Sequence, residues 1–498
     1  MVQSQQGHLR ARTVTGLFWS LASQVGQQGI FLIILLVMAR LLDPRDFGLM
    51  AMISIIIGLI RVLIDFGFGA ALVQRQDIVE QDWSTVFWFN VVFGLVVTAM
   101  VVGLAPAIAR FYDQPKVEAL TIALALNFLI GSLCIVQRNQ MIKSMQFKLL
   151  ARIEVLGTFF AGFAAIICAL LDWGVWSLVV LNYVLSVSTV VLMWMRIDWR
   201  PLWVFEMRTI RKLFSYSAHL LGTHTLGHLA RNFDKLIIGR YLGAWELGIY
   251  QNATLITMTP IHNFCGVIAK VMFPGLAEIQ QHKDRVAIHY LQMMRCAALF
   301  AFPAMVGICV TARSFVTAVL SDQWLEMIPI LQVLSLARMM TTTNYLQGAV
   351  LMAMGRSDWL FRLDLFQYSV SILAVLMGLR WGIMGISLCL FGGILLSYIP
   401  VQMVGGRSVG VGFWAQMKNL KGVLLCTLAM GAVVSLMDAL LFRWLPDVVL
   451  LPLDIATGMT LYWLLIRRFR LVAYTEAKSI LADWRKRSGR AEKNASTS

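Results

Sequence analysis

His224, His228, Arg231 and Lys235 follow one another at spacings of four, three and four, with Asp234 beside the last. At 100° per residue on an α-helix, their side chains fall within an arc of roughly 60°. They would form a cationic stripe about 16 Å long. Two imidazoles, a guanidinium and an ammonium on one face suit an anionic ligand, and histidine titrates near neutrality. The competing reading lets Arg231 and Lys235 snorkel to a membrane interface and pair with Asp234. Snorkelling leaves the two deeper histidines without a reason. His224 and His228 also have the i, i+4 spacing of a helical zinc site. No Glu follows His224 and the sequence offers no third ligand, so no metal is expected.

Other polar residues sit inside apolar stretches. Arg338 precedes Thr341, Thr342, Thr343 and Asn344, which could bind sugar hydroxyls or satisfy neighbouring helices. Arg61 and Asp65 are four apart, placed to serve the cationic cavity or to pair with each other. Gln24, Gln27 and Gln28 give the first apolar stretch a polar face without charge. Asp65, Asp234 and Asp364 are the candidates for coupling to H+ or Na+. Asp43 and Asp46 form a D-x-x-D that looks catalytic, but a turn and helix cap account for it.

The elements that carry these residues follow from composition. Of 498 residues, 14% are charged and 59% are hydrophobic, against about 25% charged in soluble domains. Such a chain cannot cover itself with polar groups in water. A soluble enzyme, a disordered chain and a disulfide scaffold are excluded, leaving an all-α integral membrane protein. The net charge of +16 belongs to cytoplasmic loops rather than to nucleic-acid binding. The seven cysteines all fall in apolar stretches and read as small buried hydrophobes.

Fourteen stretches are long enough to span. The stripe lies in the seventh (213–238), Arg61 in the second (47–72) and Arg338 in the tenth (326–354). Leu171-Asp172-Trp173-Gly174 supplies the turn that separates the fifth from the sixth. With the N-terminus inside, inside segments hold 30 of the 42 Lys and Arg. Both termini are therefore expected in the cytoplasm. The segment 471–487 fits an amphipathic helix on the inner leaflet.

At an offset of 200, Arg40-Leu41-Leu42-Asp43-Pro44-Arg45-Asp46-Phe47-Gly48-Leu49 aligns with Arg240-Tyr241-Leu242-Gly243-Ala244-Trp245-Glu246-Leu247-Gly248-Ile249. A shift of six helices preserves orientation, so the repeats are parallel, with a substrate cavity expected between them. Chance similarity among apolar turns is the competing reading. The division is an N-terminal lobe (1–200), a C-terminal lobe (201–405), two added helices (406–470) and a cytoplasmic tail (471–498).

Beyond these turns, the ordered set includes Asp65-Phe66-Gly67 with Gln74-Arg75, and Asp234-Lys235-Leu236-Ile237-Ile238-Gly239 with Gly248-Ile249-Tyr250. Phe273-Pro274, Ile328-Pro329-Ile330-Leu331-Gln332 and Gly355-Arg356 continue it. With this set the chain resembles the Wzx-like polysaccharide repeat-unit flippases of the multidrug/oligosaccharidyl-lipid/polysaccharide exporter superfamily, of the colanic-acid and xanthan kind. The resemblance implies a two-lobed transporter of twelve to fourteen helices. It would turn an undecaprenyl-diphosphate-linked oligosaccharide over to the outer leaflet of the bacterial inner membrane. It implies no cofactor, and it makes membrane lipids, polysaccharide polymerase and export machinery the partners. Related lipid II flippases carry charges in the first helix where this chain has glutamines, so those contacts do not transfer. A cation-coupled drug exporter is the alternative of the same superfamily, and a membrane glycosyltransferase or polymerase is the enzyme alternative. The predominance of bases among intramembrane charges argues against the first, and the short outside loops against the second.

Overall fold

The computed structural model describes residues 26–64, 72, 78–208, 226–442, 444–472 and 474–476, and every regular element among them is helical. The chain divides into two compact units, Met1–Gln251 and Asn252–Ser498. In the first, α1 is Gly26–Leu41, followed by α2 (Pro44–Ile64), α3 (Glu80–Tyr112), α4 (Pro115–Ser132), α5 (Ile135–Lys143), α6 (Phe147–Leu170), α7 (Val175–Arg196) and α8 (Phe233–Tyr241). The unit boundary falls inside α9 (Ala244–Glu278). The second continues with α10 (Lys283–Val310), α11 (Met327–Ala353), α12 (Ser357–Gly378), α13 (Gly382–Ser408), α14 (Phe413–Leu441) and α15 (Asp447–Arg468).

Eight stretches among the described residues are long and apolar enough to cross a membrane: α3, α4, α6, α7, α10, α12 running into α13, α14 and α15. Their outward faces agree. Leu396 is 72% exposed and Met459 is 70% exposed, which suits hydrocarbon and not water. The chain is a multi-pass membrane protein.

The turns follow local chemistry. Asp113 closes α3 in the left-handed conformation, at φ 54°, which Asp tolerates better than most residues. Pro115 then opens α4, where its missing N–H costs nothing. Asp172 and Gly174 both take positive φ between α6 and α7, at the turn the sequence places there. Two stretches differ from expectation. The fourth is broken near Cys134 into α4 and α5. The ninth gives way after Val310 to a short helical turn, Ala312–Phe315, and a π-helical turn, Val316–Leu320.

Within the first unit, α3 lies along α4, α6 along α7, and α8 touches α2. In the second, α10 packs against α11 and α14, α12 pairs with α13, and α14 with α15. One crossing is tighter than any side chain allows. A Cβ on Gly48 would lie 1.7 Å from the carbonyl oxygen of Ala244, and one on Gly248 would lie 1.8 Å from that of Pro44. The partners are related by the 200-residue offset in both directions. The first turns of α2 and α9 therefore meet in a reciprocal, locally two-fold contact.

Backbone cannot move aside as a flexible side chain can. Gly48→Ala and Gly248→Ala are each expected to cost about 3 kcal/mol, at the upper end for overpacking. Gly103→Ala, where a Cβ meets nothing, is expected to be neutral or slightly stabilising. Thermal unfolding of the detergent-solubilised variants compares them. Equal melting temperatures for Gly48→Ala and Gly103→Ala would refute the tight crossing.

Candidate functional site

In the first unit the candidates gather around α2. Arg61, in its last turn, is exposed and borders a cavity of about 120 Å³. Ser54, Asn127 and Asn182 give that cavity polar walls from α2, α4 and α7, and Gly58 also lines it. His228 rests on the same glycine. A Cβ on Gly58 would lie 2.6 Å from Cε1 of the imidazole, and His228 Nε2 donates to the Ile55 carbonyl at 3.1 Å. That bond requires the proton on Nε2. The histidine therefore tethers its helix to α2, one turn of α2 away from Arg61.

The stripe is not one unbroken helix. Residues 226–231 are helical, Asn232 is a turn, and α8 begins at Phe233. The Asn232 side-chain amide donates to the His228 carbonyl at 2.9 Å. A side chain bonded back onto its own helix competes with the regular backbone ladder. Arg231 stands before the break, exposed, with its guanidinium folded towards Gly227. Lys235 follows the break and is half-buried. Asp234 accepts from the Tyr250 hydroxyl at 2.6 Å and from the Lys235 backbone N–H at 2.8 Å. Tyr250 thus fixes Asp234 and ties α8 to α9.

The first stretch is less neutral than its residues suggest. Gln27 Nε2 donates to Glu154 at 3.0 Å, and Arg138 Nη2 donates to the other oxygen of the same carboxylate at 2.6 Å. The polar face of α1 is thereby joined to an ion pair on α5 and α6. The Gln28 side-chain oxygen is buried without a hydrogen-bond donor among the described residues. His224, Asp65 and Gln24 lie outside the described residues, as does the Arg61–Asp65 pairing.

In the second unit, Arg338 is half-buried on α11, and its carbonyl accepts from Thr341 at 3.0 Å and Thr342 at 3.1 Å. Asn344 and Thr343 are engaged by helix packing. Gln402 Nε2 donates to Asn344 at 2.9 Å and to Thr343 at 2.7 Å. Tyr290 donates to Gln416 at 3.2 Å, and Gln416 donates to the Gln402 carbonyl at 3.1 Å. This buried network joins α10, α11, α13 and α14. Sequence spacing missed it, because its members are up to 126 residues apart. Asp364 is half-buried on α12. A second cavity, of about 840 Å³, lies among α10, α14 and α15 and is walled mainly by apolar residues such as Phe300, Met430 and Met459.

Three comparisons bear on these features. Residues 37–329 match the model of a family described as polysaccharide biosynthesis protein. The teichuronic acid biosynthesis protein TuaB of Bacillus subtilis (strain 168) is 30% identical over 386 residues, 75% of this chain and 78% of that protein. The lipopolysaccharide biosynthesis protein WzxC of Escherichia coli (strain K12) is 27% identical over 399 residues, 80% of each chain. Among solved structures, the lipid II flippase MurJ in an inward closed conformation is similar with a TM-score of 0.69. It covers 94% of this chain and 99% of its own at 14% identity, which makes the likeness one of fold.

The His228–Gly58 contact is open to a double-mutant cycle. Gly58→Ala is expected to destabilise by about 1–3 kcal/mol through overpacking. In a His228→Ala background the added methyl meets space, so the same change is expected to cost less than half as much. Additive losses in thermal unfolding would show that the imidazole does not rest on Gly58.

Proposed function

Because this chain belongs to the polysaccharide biosynthesis protein family, we propose that it is a flippase for undecaprenyl-diphosphate-linked oligosaccharide repeat units. It carries them from the inner to the outer leaflet of the bacterial cytoplasmic membrane, for exopolysaccharide, capsule or lipopolysaccharide assembly. The relatives named for teichuronic acid and lipopolysaccharide biosynthesis support this reading, as does a fold shared with a lipid II flippase.

The observation that carries the chemistry is the convergence on α2. Arg61 borders a polar cavity on one side of Gly58, and His228 sits on that glycine just before Arg231. Arg61 and the helical segment that carries His228 and Arg231 thus share α2. A diphosphate is a dense anion with planar oxygen arrays that guanidinium groups can meet bidentately. In this reading Arg61, His224, His228, Arg231 and Lys235 receive the diphosphate, with Arg338 a further cationic contact. Ser54, Asn127 and Asn182 offer hydroxyl and amide partners to the first sugars, and Gln24, Gln27, Gln28 and Asn344 extend the polar lining. The apolar cavity of the second unit suits a stretch of prenyl chain.

Transport proceeds by alternating access in a fourteen-span chain with both termini cytoplasmic. The repeats are the lobes 1–200 and 201–405, with 406–470 added and a cytoplasmic tail after 471. A repeat boundary is a matter of descent, and packing need not respect it. Asp65, Asp234 and Asp364 are the candidates for H+ or Na+ coupling. Polysaccharide polymerase and export machinery would take the flipped units onward.

Proteoliposomes carrying an undecaprenyl-diphosphate oligosaccharide on one side test this directly. The native chain is expected to expose the glycan on the other side. The Arg231→Ala/Lys235→Ala double variant is expected to slow this roughly tenfold or more, the loss of charge-assisted hydrogen bonds to the diphosphate. Native rates in that variant, at equal protein levels, would overturn the cationic assignment. No transport by the native chain with several glycans and with imposed H+ and Na+ gradients would overturn the flippase.

A further inference from the structure

Two acids of helices α14 and α15 have no assigned part in the proposed transport path, although one of them lines the cavity offered there to the prenyl chain. Asp438 lies in the last turn of α14, and Asp454 lies two turns into α15. Asp454 is 1% exposed, and neither of its carboxyl oxygens has a hydrogen-bond donor among the described residues. It lines the 840 Å³ cavity, whose walls are otherwise almost wholly apolar. The group it meets is another acid, with the carboxyl of Asp438 within hydrogen-bonding reach.

The surroundings are built around this pair. Ser314 donates to Asp438 Oδ1 at 2.9 Å, and Thr317 donates to Asp447 Oδ2 at 2.7 Å. Thr317 lies in the π-helical turn Val316–Leu320 and Ser314 in the short helical turn just before it, and a π-helical turn often accompanies function. Among the described residues the neighbouring charges are turned elsewhere. Arg313 holds its guanidinium 3.7 Å from the ring centroid of Phe442, and Asp447 is occupied by Thr317. Tyr462, on α15, donates to the Leu299 carbonyl of α10 at 2.9 Å. Arg467 and Arg468 are at the far end of α15, about 20 Å along the axis by helical rise.

Two carboxyl groups facing each other in an apolar wall cannot both stand ionised and bare. We propose that Asp438 and Asp454 form a binding site for one monovalent cation, a proton or Na+. A proton would sit on Asp454, whose hydroxyl would donate to the Asp438 oxygen that Ser314 does not use. Sodium would take carboxylate oxygens from both residues, with the Ser314 hydroxyl oxygen in reach of the same position. Either occupant joins α14 to α15 and makes the last two helices a cation-binding element.

Binding can be read without transport, so the outcome is independent of the flippase reading. The full chain in lipid nanodiscs would be assayed for saturable binding of radiolabelled Na+ and, in parallel, by infrared spectroscopy for the C=O stretch of a protonated carboxylic acid. If Na+ is the occupant, binding is expected in the native chain and lost in Asp454→Asn and Asp438→Asn. If a proton is the occupant, no Na+ binds, and an acid band of the native chain is missing from both variants. Ser314→Ala removes a donor to Asp438 and an oxygen in reach of Na+ but neither carboxylate, and is expected to weaken Na+ binding or shift the band while leaving the size-exclusion profile unchanged. Should either Asn variant fail to fold, Ser314→Ala carries the same comparison. Absence of Na+ binding together with spectra identical in the native chain and the folded variants would overturn the site.

Discussion

A polar atom inside a hydrocarbon layer has no water to turn to, and every one placed there must find its partner within the protein. That condition explains how the helices are held. Thr98 donates to the Ala125 carbonyl across α3 and α4, Trp194 to that of Leu133, and Tyr462 to that of Leu299. Each bond uses the second lone pair of a carbonyl to join two helices whose apolar surfaces gain little from each other in lipid. The network of Tyr290, Gln402 and Gln416 does the same mainly through side chains. In water these would be minor contacts, but here they supply the specificity that the hydrophobic effect cannot.

The same condition sorts the charges. Arg138 and Arg295 are neutralised by Glu154 and Glu476. The second pair fastens the segment after α15 back onto α10. Asp234 is held by a tyrosine hydroxyl and a backbone N–H, so its charge is balanced by dipoles and not by an adjacent base alone. Arg61 and Arg231 are exposed, as Arg138 is.

What the sequence made legible was whatever depends on neighbours in the chain. Apolar stretches, the turn at Asp172 and Gly174 and the excess of bases all come from local composition. The polar candidates on α2 and in the seventh stretch were visible as residue types, but their roles were not. His228 has zinc-like spacing to His224, and its imidazole meets Ile55 and Gly58, at least 170 residues earlier. Asn344 accepts from Gln402, 58 residues later. The neutral face of α1 gains an ion pair only because α6 brings Glu154 beside Gln27. None of these pairings has a period, so no reading of spacing can find them.

The 200-residue offset of the sequence coincides with the tightest backbone crossing of the first unit. At the crossing of α2 and α9, glycine is required in both copies because carbonyl oxygens occupy the place of a Cβ. The approach to the crossing is not constrained, and the copies solve it differently: Pro44 opens α2, while Gly243 enters α9 at φ 98°. One helix earlier the same offset sets His224 against Gln24, His228 against Gln28, Arg231 against Phe31 and Lys235 against Leu35. Polar positions near the start of the stripe are polar in both copies, but charge is confined to one. Leu35, the counterpart of Lys235, is buried in the first unit, where a lysine would demand a partner. A scaffold built on a two-fold contact needs symmetry only where backbones touch. Glycine is kept at the crossing, while the side chains of α1 and of the residues 200 positions later differ in charge.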